Sequence, residues 1–515
     1  MNKFFNTAGP CRPDKHYMVE PLPRLSGVLE LIDSEHYFVL HAPRQTGKTT
    51  YLYALMRQLN QDGQYTALTV NIKPAISGRD STHAMRIVIA AIYRQAKQHL
   101  PETQWPPCVT ETSIDVGSLQ GYLNQWAQQN PKPIVLFIDE ADSLHDEVFL
   151  ALLSQLHAGF EARPKGFPHS IALVGLRDVR DYKIRFRSEQ ENFGTGSPFN
   201  IKSESLFMLN FTFEEVSTLL DEHTKATGQV FDAKVKQEIY RLTAGQPWLT
   251  NALANQIVVK LLHNDYKSTI TFEHVAQAKE ALIQRRDTHL DSLIDKLREP
   301  TVKRVVQAII NGETPDFDMF NDALIYTRDL GLIAPKPPVR FANPIYQEIV
   351  PRVLSAAFAE SLPSDLVDSL WYIKEGRLDM DALLLAFQKF YRRHSDAWLS
   401  KYDFREVGRQ LLLMAFLHRI VNTKGRIERE MAVGNGRCDL LVEYGDERHL
   451  IELKLYYDSE TREEGLEQAA RYLSRFGLDQ GYLIIFETRT SIPWEERIYH
   501  EEIFVEGKKV ILLGM

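Results

Sequence analysis

The sequence predicts an α/β protein, in which a parallel sheet covered by helices comes first and a second, smaller α/β domain ends the chain. Three observations predict it. A hydrophobic strand at residues 37–41 runs into a Gly-Lys-Thr sequence and a helix, and strands and helices then alternate. A continuous hydrophobic run at residues 133–138 ends in Asp139 and Glu140. Far downstream, two further predicted strands carry Asp439 before a turn and Glu452 with Lys454 after it.

The composition is that of a folded protein with several domains. The chain has 515 residues, which suggests three or four domains at about 100–200 residues each. Hydrophobic residues make up 44% and charged residues 25%, which are ordinary shares. The formal charge of -8 excludes a general polyanion binder. Any contact with nucleic acid must therefore come from a local basic groove.

The cysteines and the hydropathy pattern indicate the compartment. Cys11, Cys108 and Cys438 are far apart, which argues against both a disulfide framework and a zinc site. Few, widely spaced cysteines favour a reducing, cytoplasmic environment. The N-terminal apolar run is too short for a signal peptide, and no stretch approaches the roughly 18 apolar residues of a membrane span. We therefore expect a cytoplasmic protein without membrane contact.

The first motif is a phosphate-binding loop between the strand at residues 37–41 and the helix that follows. Its candidate nucleotide-binding residues are Ala42, Pro43, Arg44, Gln45, Thr46, Gly47, Lys48, Thr49 and, on the helix, Thr50. This is the Walker A pattern, with Ala42 in place of the first glycine. Gly47 permits close approach to phosphate, Lys48 supplies a positive charge and the Thr49 hydroxyl reaches Mg²⁺. Alanine at position 42 costs stability if that position requires a positive φ.

The second motif completes a nucleotide site. The hydrophobic strand at residues 133–138 is expected to be buried on both faces, and its carboxyl end lies where open α/β sheets bind ligands. Asp139 is expected to hold Mg²⁺, and Glu140 to polarise the attacking water. A later strand at residues 170–176 runs into Arg177 and Arg180. Either arginine could sense the γ-phosphate, or both could be solvated partners of neighbouring aspartates.

These motifs together resemble the AAA-like branch of the STAND-type P-loop ATPases, close to the archaeal-type ATPases. The resemblance covers residues 17–355 and includes the later sequence Thr-Ala-Gly-Gln-Pro-Trp-Leu at residues 243–249. It implies ATP with Mg²⁺ as the ligand, a helical lid that begins at residues 211–220, and nucleotide contact at Pro247. The alternative for this last stretch is that Gly245 and Pro247 only separate two helices. Thr212 and Glu215 have the spacing of a capping box. Tyr17 is expected either to flank the base or to pack as a surface aromatic.

The lid is followed by helices at residues 302–310 and 322–330, which resemble the winged-helix domain of these ATPases. A winged helix can read duplex DNA. Few residues suited to contact bases share a face here, so the alternative is that this segment is a regulatory module. The predicted domains are an ATPase core at residues 1–205, a lid at 206–290, a winged helix at 291–358, a helical connector at 359–399 and a final α/β domain at 400–515.

The C-terminal region contains a separate cluster of charged residues. Side chains of a strand alternate between faces, so Glu452 and Lys454 point to the side opposite Ile451 and Leu453. Pairing across the turn at residues 445–446 can bring Asp439 beside Glu452. Carboxylates in such a cluster hold Mg²⁺ or Mn²⁺, the metal lowers the pKa of bound water, and a lysine orients that water. The alternative is a purely structural role, in which these residues form a cross-strand salt bridge on a surface hairpin.

The sequence Gly-Arg-Cys-Asp-Leu-Leu-Val, followed by Ile-Glu-Leu-Lys, resembles the PD-(D/E)XK nuclease superfamily over residues 400–490. Cys438 stands where that superfamily usually has proline. The resemblance implies catalytic roles for Asp439, Glu452, Lys454 and Gln468, the last on a helix with Tyr472. It also implies an accessory metal ligand at Glu406, with Glu430 as a competitor.

These features predict an ATP-regulated, Mg²⁺- or Mn²⁺-dependent DNA endonuclease, in which the ATPase gates the nuclease. Family analogy places such fusions in prokaryotic defence against phage or plasmids. One alternative is an ATPase signalling switch whose C-terminal domain binds nucleic acid or a partner without cutting. Another is a mobile-element ATPase that helps to choose target DNA. DNA, further copies of the chain and a protein from the same operon are the expected partners.

Overall fold

The computed structural model describes residues 3–108, 119–176, 202–285, 293, 295–310, 321–359, 372–399, 409, 412–414, 416–417, 425–433, 436–456, 458, 460–487, 489 and 492–515. The chain divides into two compact units. The N-terminal unit comprises Met1–Val302 and Asp316–Ile345, and the C-terminal unit comprises Lys303–Pro315 and Tyr346–Met515. Among the described residues, no helix is both long enough and apolar enough to cross a membrane.

The N-terminal unit is built on a five-stranded parallel sheet, as the alternation of strands and helices predicted. The strands are β1 (Tyr37–His41), β2 (Thr66–Asn71), β3 (Ile134–Asp139), β4 (Ser170–Gly175) and β5 (Lys202–Phe207), in the order β2-β3-β4-β1-β5. The first five helices are α1 (Val28–Asp33), α2 (Lys48–Asp62), α3 (Ser81–His99), α4 (Leu119–Gln129) and α5 (Asp146–Gly159). Short 3₁₀ helices lie at Leu22–Arg24, Lys73–Ser77, Glu102–Gln104, Ala141–Ser143 and Phe160–Ala162.

Both faces of this sheet are covered, which explains why its central strands are hydrophobic throughout. Alternate residues of one strand enter different cores, because side chains of a strand point to opposite faces. Val39 of β1 packs with residues of α3, α4 and α5, whereas Phe38 and Leu40 pack with α1 and α2. The sheet therefore presents the carboxyl ends of its strands as one edge, where the loop after β1 and the carboxylates after β3 meet.

A group of four helices follows the sheet. They are α6 (Phe213–Thr227), α7 (Ala233–Thr243), α8 (Pro247–Asn255) and α9 (Phe272–Arg285), and a π-helical turn, Gln256–Leu261, continues α8. The predicted capping box is confirmed. The Thr212 side chain accepts from the Glu215 N–H, and the Glu215 side chain accepts from the Thr212 N–H. Here the sequence pattern located the start of α6.

Three further helices, α10 (Pro300–Ile310), α11 (Asp322–Asp329) and α12 (Pro344–Ala359), span the region predicted as a winged helix. An antiparallel bridge joins Ile333 to Phe341 between α11 and α12. The helices at residues 302–310 and 322–330 were predicted from the sequence. Their assignment to a winged-helix domain stays a prediction.

The C-terminal unit contains a mixed six-stranded sheet in the order β12-β13-β11-β10-β9-β8. Its elements are the small hairpin β6 (Ile373–Lys374) and β7 (Arg377–Leu378), the helix α13 (Met380–Leu399), the strands β8 (Gly425–Val433), β9 (Gly436–Tyr444) and β10 (Glu447–Leu455), the helix α14 (Glu460–Phe476), the strand β11 (Gln480–Phe486), the helix α15 (Trp494–Arg497), and the strands β12 (His500–Val505) and β13 (Lys508–Gly514). Strands β8, β9 and β10 pair antiparallel, whereas β10, β11 and β13 pair in parallel.

Two helices position this sheet. Leu466, Ala469 and Leu473 of α14 lie in a core with Leu450 and Leu483 of the sheet. The helix α13 falls within residues 359–399, which the sequence predicted to be a connector, and it belongs to the C-terminal unit. Its Gln388 amide donates hydrogen bonds to the carbonyl oxygens of Tyr499 and Gly514. The helix is therefore anchored to the sheet by a buried polar group as well as by apolar packing.

Candidate functional sites

The predicted phosphate-binding loop lies between the end of β1 and the start of α2. Gly47 precedes the first helical residue with a φ of 96°, and Gln45 has a φ of 60°, so the loop uses left-handed backbone at two positions. The Lys48 ammonium donates hydrogen bonds to the carbonyl oxygens of Ala42 at 2.7 Å and Pro43 at 2.9 Å. A cation is thus held at a helix N-terminus, where anions bind favourably.

The carboxylate after β3 lies beside this loop. Thr49 Oγ1 donates to Asp139 Oδ2 at 2.8 Å, and the Glu140 N–H donates to Asp139 Oδ1 at 3.0 Å. Burial raises the pKa of Asp139, and the Thr49 hydrogen bond and the charge of Lys48 oppose the rise. Burial also lowers the pKa of Lys48, and the negative charge of Asp139 opposes this shift. A hydroxyl and a carboxylate in contact are suitable oxygen ligands for Mg²⁺.

The alanine that replaces the first Walker A glycine fits its position without strain. Ala42 does not adopt a positive φ. Its side chain is fully buried, and its N–H donates to the carbonyl oxygen of Gly175 at 3.2 Å. The cost that the sequence would imply for alanine at a left-handed position therefore does not arise.

A cavity of about 370 Å³ opens beside the loop. Three parts of the N-terminal unit form its walls. These are the loop and helix residues Arg44, Gln45, Gly47, Lys48, Thr49 and Thr50 with Glu140, the N-terminal residues 6–11 and 17–19, and, from the helical region after the sheet, Phe211, Leu219, Pro247, Trp248 and Asn251. The lining combines polar residues of the phosphate-binding loop with apolar side chains, as is common in ligand pockets.

The N-terminal segment forms a wall that sequence reasoning did not identify. The Cys11 N–H donates to Thr50 Oγ1 at 3.0 Å, and Trp248 Nε1 donates to the Thr7 carbonyl oxygen at 2.9 Å. Tyr17 is 2% exposed, so it is an interior residue and not the surface aromatic that was one of the two expectations. It also lines the cavity. No local sequence pattern signals these contacts, because their partners lie 39 and 241 residues away.

Arg24 is a second residue that the sequence did not single out. Its guanidinium donates to the carbonyl oxygens of Thr46 and Leu209, lies over the Phe211 ring at 4.7 Å and pairs with Glu215 at 3.5 Å. The side chain is only 7% exposed. One buried cation therefore connects the phosphate-binding loop to α6.

The lid turn expected to contact nucleotide lies at the start of α8. Gln246 caps this helix, with its Oε1 accepting from the Leu249 N–H at 2.6 Å. Its Nε2 lies 3.5 Å from the Arg44 carbonyl oxygen of the loop. Pro247 is the first residue of α8 and lines the cavity. Of the other candidates, Arg177, Arg180 and Glu406 lie outside the described residues.

The second cluster lies on β9 and β10. In their register Leu440 stands opposite Ile451, so the next pair along the ladder is Asp439 with Glu452. Asp439 Oδ2 accepts from the Leu453 N–H at 2.7 Å. Lys454 Nζ lies 3.8 Å from Glu452 Oε1, on the same side of the strand. The structure thus brings together the three residues that the alternation of strand side chains predicted to meet.

The helix α14 completes the surroundings of this cluster. Lys454 Nζ donates to Gln468 Oε1 at 2.7 Å, and Gln468 Nε2 donates to the Tyr472 hydroxyl at 3.2 Å. Because the amide oxygen accepts from the ammonium, the lysine is fixed between a carboxylate and a neutral acceptor. Gln468 and Tyr472 share one face of α14, as their spacing indicated.

The electrostatics of Glu452 are unusual. Its side chain is 1% exposed, and no described residue makes a hydrogen bond to Oε2. Burial and then the charge of Asp439 raise the pKa of Glu452 to about 9, and Lys454 opposes the rise. A buried carboxylate with an unsatisfied oxygen is costly unless a cation compensates it. The donor set therefore fits a divalent metal ion.

Within the described parts of the chain, no group of three or more His, Cys, Asp or Glu residues has the geometry of a metal site. Asp439 and Glu452 supply two carboxylates. Glu430 lies on the neighbouring strand β8, but its side chain is not among those described. Oxygen ligands for a metal at this place can also come from backbone carbonyls, water and substrate phosphate.

Comparisons with known proteins identify the N-terminal domain. The sequence model of the AAA domain family matches residues 32–182. A second family model, a domain of unknown function (DUF8371), matches residues 398–490. No curated protein matches the chain. The N-terminal unit accordingly contains a P-loop ATPase module, with the α/β fold and parallel sheet of P-loop NTPases.

Solved structures resemble the chain at low identity. A Walker-type ATPase of Pyrococcus abyssi has 13% identity and a TM-score of 0.48, and the match covers 66% of this chain and 98% of that one. Cdc6p of Pyrobaculum aerophilum has 17% identity and a TM-score of 0.36, with 60% and 78% covered. The Thermotoga maritima RuvB Holliday junction branch migration motor has 14% identity and a TM-score of 0.32, with 61% and 88% covered.

Proposed function

We propose that this protein is an ATP-regulated, metal-dependent DNA endonuclease, in which the P-loop ATPase module gates cleavage by the C-terminal unit. One observation carries the proposal. Glu452 is a buried acid with an unsatisfied oxygen, and it lies beside Asp439 and Lys454 on neighbouring strands of the sheet. A structural hairpin would gain stability from an apolar or fully paired residue there. A metal site accounts for an acid at this buried position.

At the N-terminal site, the cavity binds ATP with its triphosphate at the loop. Lys48, which already donates to two loop carbonyls, can transfer those hydrogen bonds to phosphate oxygens. Thr49 and Asp139 are in contact and would hold Mg²⁺. Glu140 lines the cavity next to Asp139 and is the candidate base that orients water for hydrolysis.

At the C-terminal site, Asp439 and Glu452 would hold Mg²⁺ or Mn²⁺, with Glu406 as the accessory ligand that the superfamily resemblance implies. The metal supplies an activated water and offsets charge on the attacked phosphate. Lys454 provides a positive charge next to the scissile phosphate, and Gln468 holds its ammonium in place at 2.7 Å. The Leu453 N–H fixes the orientation of the Asp439 carboxylate.

ATP turnover is the proposed gate on this chemistry, because an unregulated nuclease would damage the DNA of its own cell. The net charge of -8 favours a local contact with DNA over broad electrostatic attraction. By analogy with the resembled families, the biological setting is prokaryotic defence against phage or plasmids. We also propose that the chain self-associates and binds a partner protein.

The test is cleavage of plasmid DNA by the full chain in Mg²⁺ or Mn²⁺, with and without ATP. We expect Glu452→Ala to remove nicked and linear products while ATP hydrolysis continues, and Lys48→Ala to remove hydrolysis. Lys225→Ala and Glu502→Gln are matched controls, because both are exposed residues in simple ion pairs. These controls should leave both activities unchanged.

Each contrary result identifies the part that is wrong. Full cleavage by the Glu452→Ala protein would overturn the assignment of the nuclease site. Equal cleavage with and without ATP would overturn the gate but leave both enzymes. Binding of DNA without cleavage under every metal and nucleotide condition would favour the non-cutting switch or target-selecting ATPase instead.

A further inference from the structure

Arg471 is an exposed arginine of α14 beside the C-terminal cluster. The helix packs on the sheet through Leu466 and Leu473, and at the edge of this packed face Gln468 accepts a hydrogen bond from Lys454. Residues three positions apart are neighbours on a helix surface, and helical side chains lean toward the helix N-terminus. Arg471 therefore lies one turn beyond Gln468 and leans toward it, on the side where the cluster lies.

The charge of Arg471 acts on the buried acid of this cluster. Burial and then the charge of Asp439 raise the pKa of Glu452, and the charges of Lys454 and Arg471 oppose the rise. Exposure increases outward through these groups: the side chain of Glu452 is 1% exposed, that of Lys454 is 28% exposed, and Arg471 lies at the surface. Arg471 is therefore the outer of the two positive charges.

The Arg471 guanidinium is not used within the protein. It has no hydrogen-bond or ion-pair partner in the described parts of the chain, although Glu467 stands one turn earlier on the same helix. An exposed pair of this kind would contribute at most about 1 kcal/mol. An unpaired guanidinium keeps its donors for a ligand, and its planar fork matches the oxygens of a phosphate.

We propose that Arg471 binds a phosphate of the DNA backbone next to the attacked one, and so positions the strand across Asp439, Glu452 and Lys454. The inference rests on the proposed function, because it requires that DNA binds at this cluster. Lys454 is held by Gln468 at the place of the attacked phosphate, which leaves a neighbouring phosphate for the more exposed arginine. With a net charge of -8, the protein depends on such local contacts for its affinity.

The test is the salt dependence of DNA binding by the full chain. Binding of a short fluorescein-labelled duplex is measured by fluorescence anisotropy in EDTA, where metal-dependent cleavage cannot occur, at about 50–200 mM KCl. Each phosphate contact releases about one counterion, so its loss lowers the slope of log affinity against log salt by about one. We expect Arg471→Gln to show this change in slope and to bind about 5- to 10-fold more weakly at about 100 mM KCl.

Two further variants separate charge at this position from charge elsewhere on α14. Arg471→Lys keeps the charge and should retain most of the wild-type slope. Arg462→Gln is the matched control, because Arg462 lies on the same helix but pairs with Glu501 of β12, which β13 and β11 separate from β10. This control should keep the wild-type slope. In Mg²⁺, Arg471→Gln should raise the KM for plasmid cleavage and leave kcat within about 2-fold of wild type.

The outcomes separate this inference from the proposed function. Wild-type affinity and slope in Arg471→Gln would overturn the role of Arg471 and leave the nuclease standing. An equal loss of slope in Arg462→Gln would also overturn it, because general charge would then explain the binding. Wild-type protein that neither binds nor cleaves DNA would overturn the proposed function itself.

Two measurements keep the test decisive. If binding in EDTA is too weak to measure, an unchanged KM for cleavage by Arg471→Gln overturns the inference. The melting temperature of Arg471→Gln should match that of wild type, since the side chain has no partner in the described parts of the chain. A fall of several degrees with an unchanged salt slope would give Arg471 a structural role instead.

Discussion

Replacing Glu452 by glutamine should stabilise the C-terminal unit and at the same time remove the proposed cleavage activity. Glutamine has nearly the same shape, but it does not titrate and cannot supply a carboxylate to a metal. The wild-type side chain is 1% exposed and its Oε2 has no hydrogen-bond partner among the described residues. Such opposite effects on stability and activity are expected of a residue retained for function.

The magnitude follows from the raised pKa. At pH 7.5 the buffer lies about three pH units above the ordinary value of 4.5 for this carboxyl, and each unit corresponds to about 1.4 kcal/mol. Keeping a proton on Glu452 therefore costs the folded state roughly 4 kcal/mol. The glutamine nitrogen needs an acceptor in the same place, which offsets about 1–3 kcal/mol. We expect a net gain of about 1–3 kcal/mol in the free energy of unfolding.

The sign of the pH dependence is also fixed. Because the folded-state pKa is raised, the contribution of Glu452 to stability is greatest below about pH 4.5 and declines as pH rises toward about 9. The advantage of Glu452→Gln should therefore grow over that window. Added Mg²⁺ should raise the stability of wild type and leave the variant unchanged, since binding to the folded state stabilises by mass action.

The assay is differential scanning calorimetry of the full chain, together with hydrogen exchange of the β10 amides, which assigns the transition to the C-terminal unit. A gain of this size corresponds to a rise of a few degrees in the melting temperature of a unit of roughly 180 residues. Glu502→Gln, which removes an exposed carboxylate 2.8 Å from Lys509 on the same sheet, is the control and should change little. A less stable Glu452→Gln protein at pH 7.5, or equal stabilisation of both proteins by Mg²⁺, would refute the reasoning.

Three further predictions concern the N-terminal unit. Gly331→Ala should lower the melting temperature and weaken ATP binding several-fold in calorimetric titration. The reason is that Gly331 has a φ of +81° and an added Cβ would lie 2.7 Å from Pro43 Cβ in the phosphate-binding loop. Unchanged ATP affinity would contradict this. Arg24→Met should reduce the thermal stabilisation that ATP provides, since the link from loop to Glu215 is lost; a full ATP-induced shift would contradict it. Burial lowers the pKa of His223, so wild-type stability should fall as pH drops below about 6.5, and His223→Gln should flatten that dependence in thermal melts at pH 5.5–7.5.

The parts of both sites that the sequence predicted are those that local patterns determine. Gly47, Lys48 and Thr49 follow a strand and begin a helix, so their geometry is set within a few residues. Asp439 and Glu452 flank a tight turn, and the two-residue period of a strand determines which side chains face each other. No comparable rule links Arg24 to the lid or the N-terminal segment to α8. Those contacts depend on how distant elements pack, which one sequence does not reveal.

The two sites hold their lysines differently. Lys48 donates to carbonyl groups of its own loop, so its hydrogen bonds can be exchanged for those of a phosphate. Lys454 is held by a side-chain amide on a packed helix and lies beside a fully buried acid. A lysine held in a fixed position stabilises negative charge that develops at one place in a transition state. Under the proposed function, the first arrangement would suit reversible binding of ATP, and the second would suit chemistry on a phosphate presented by another molecule.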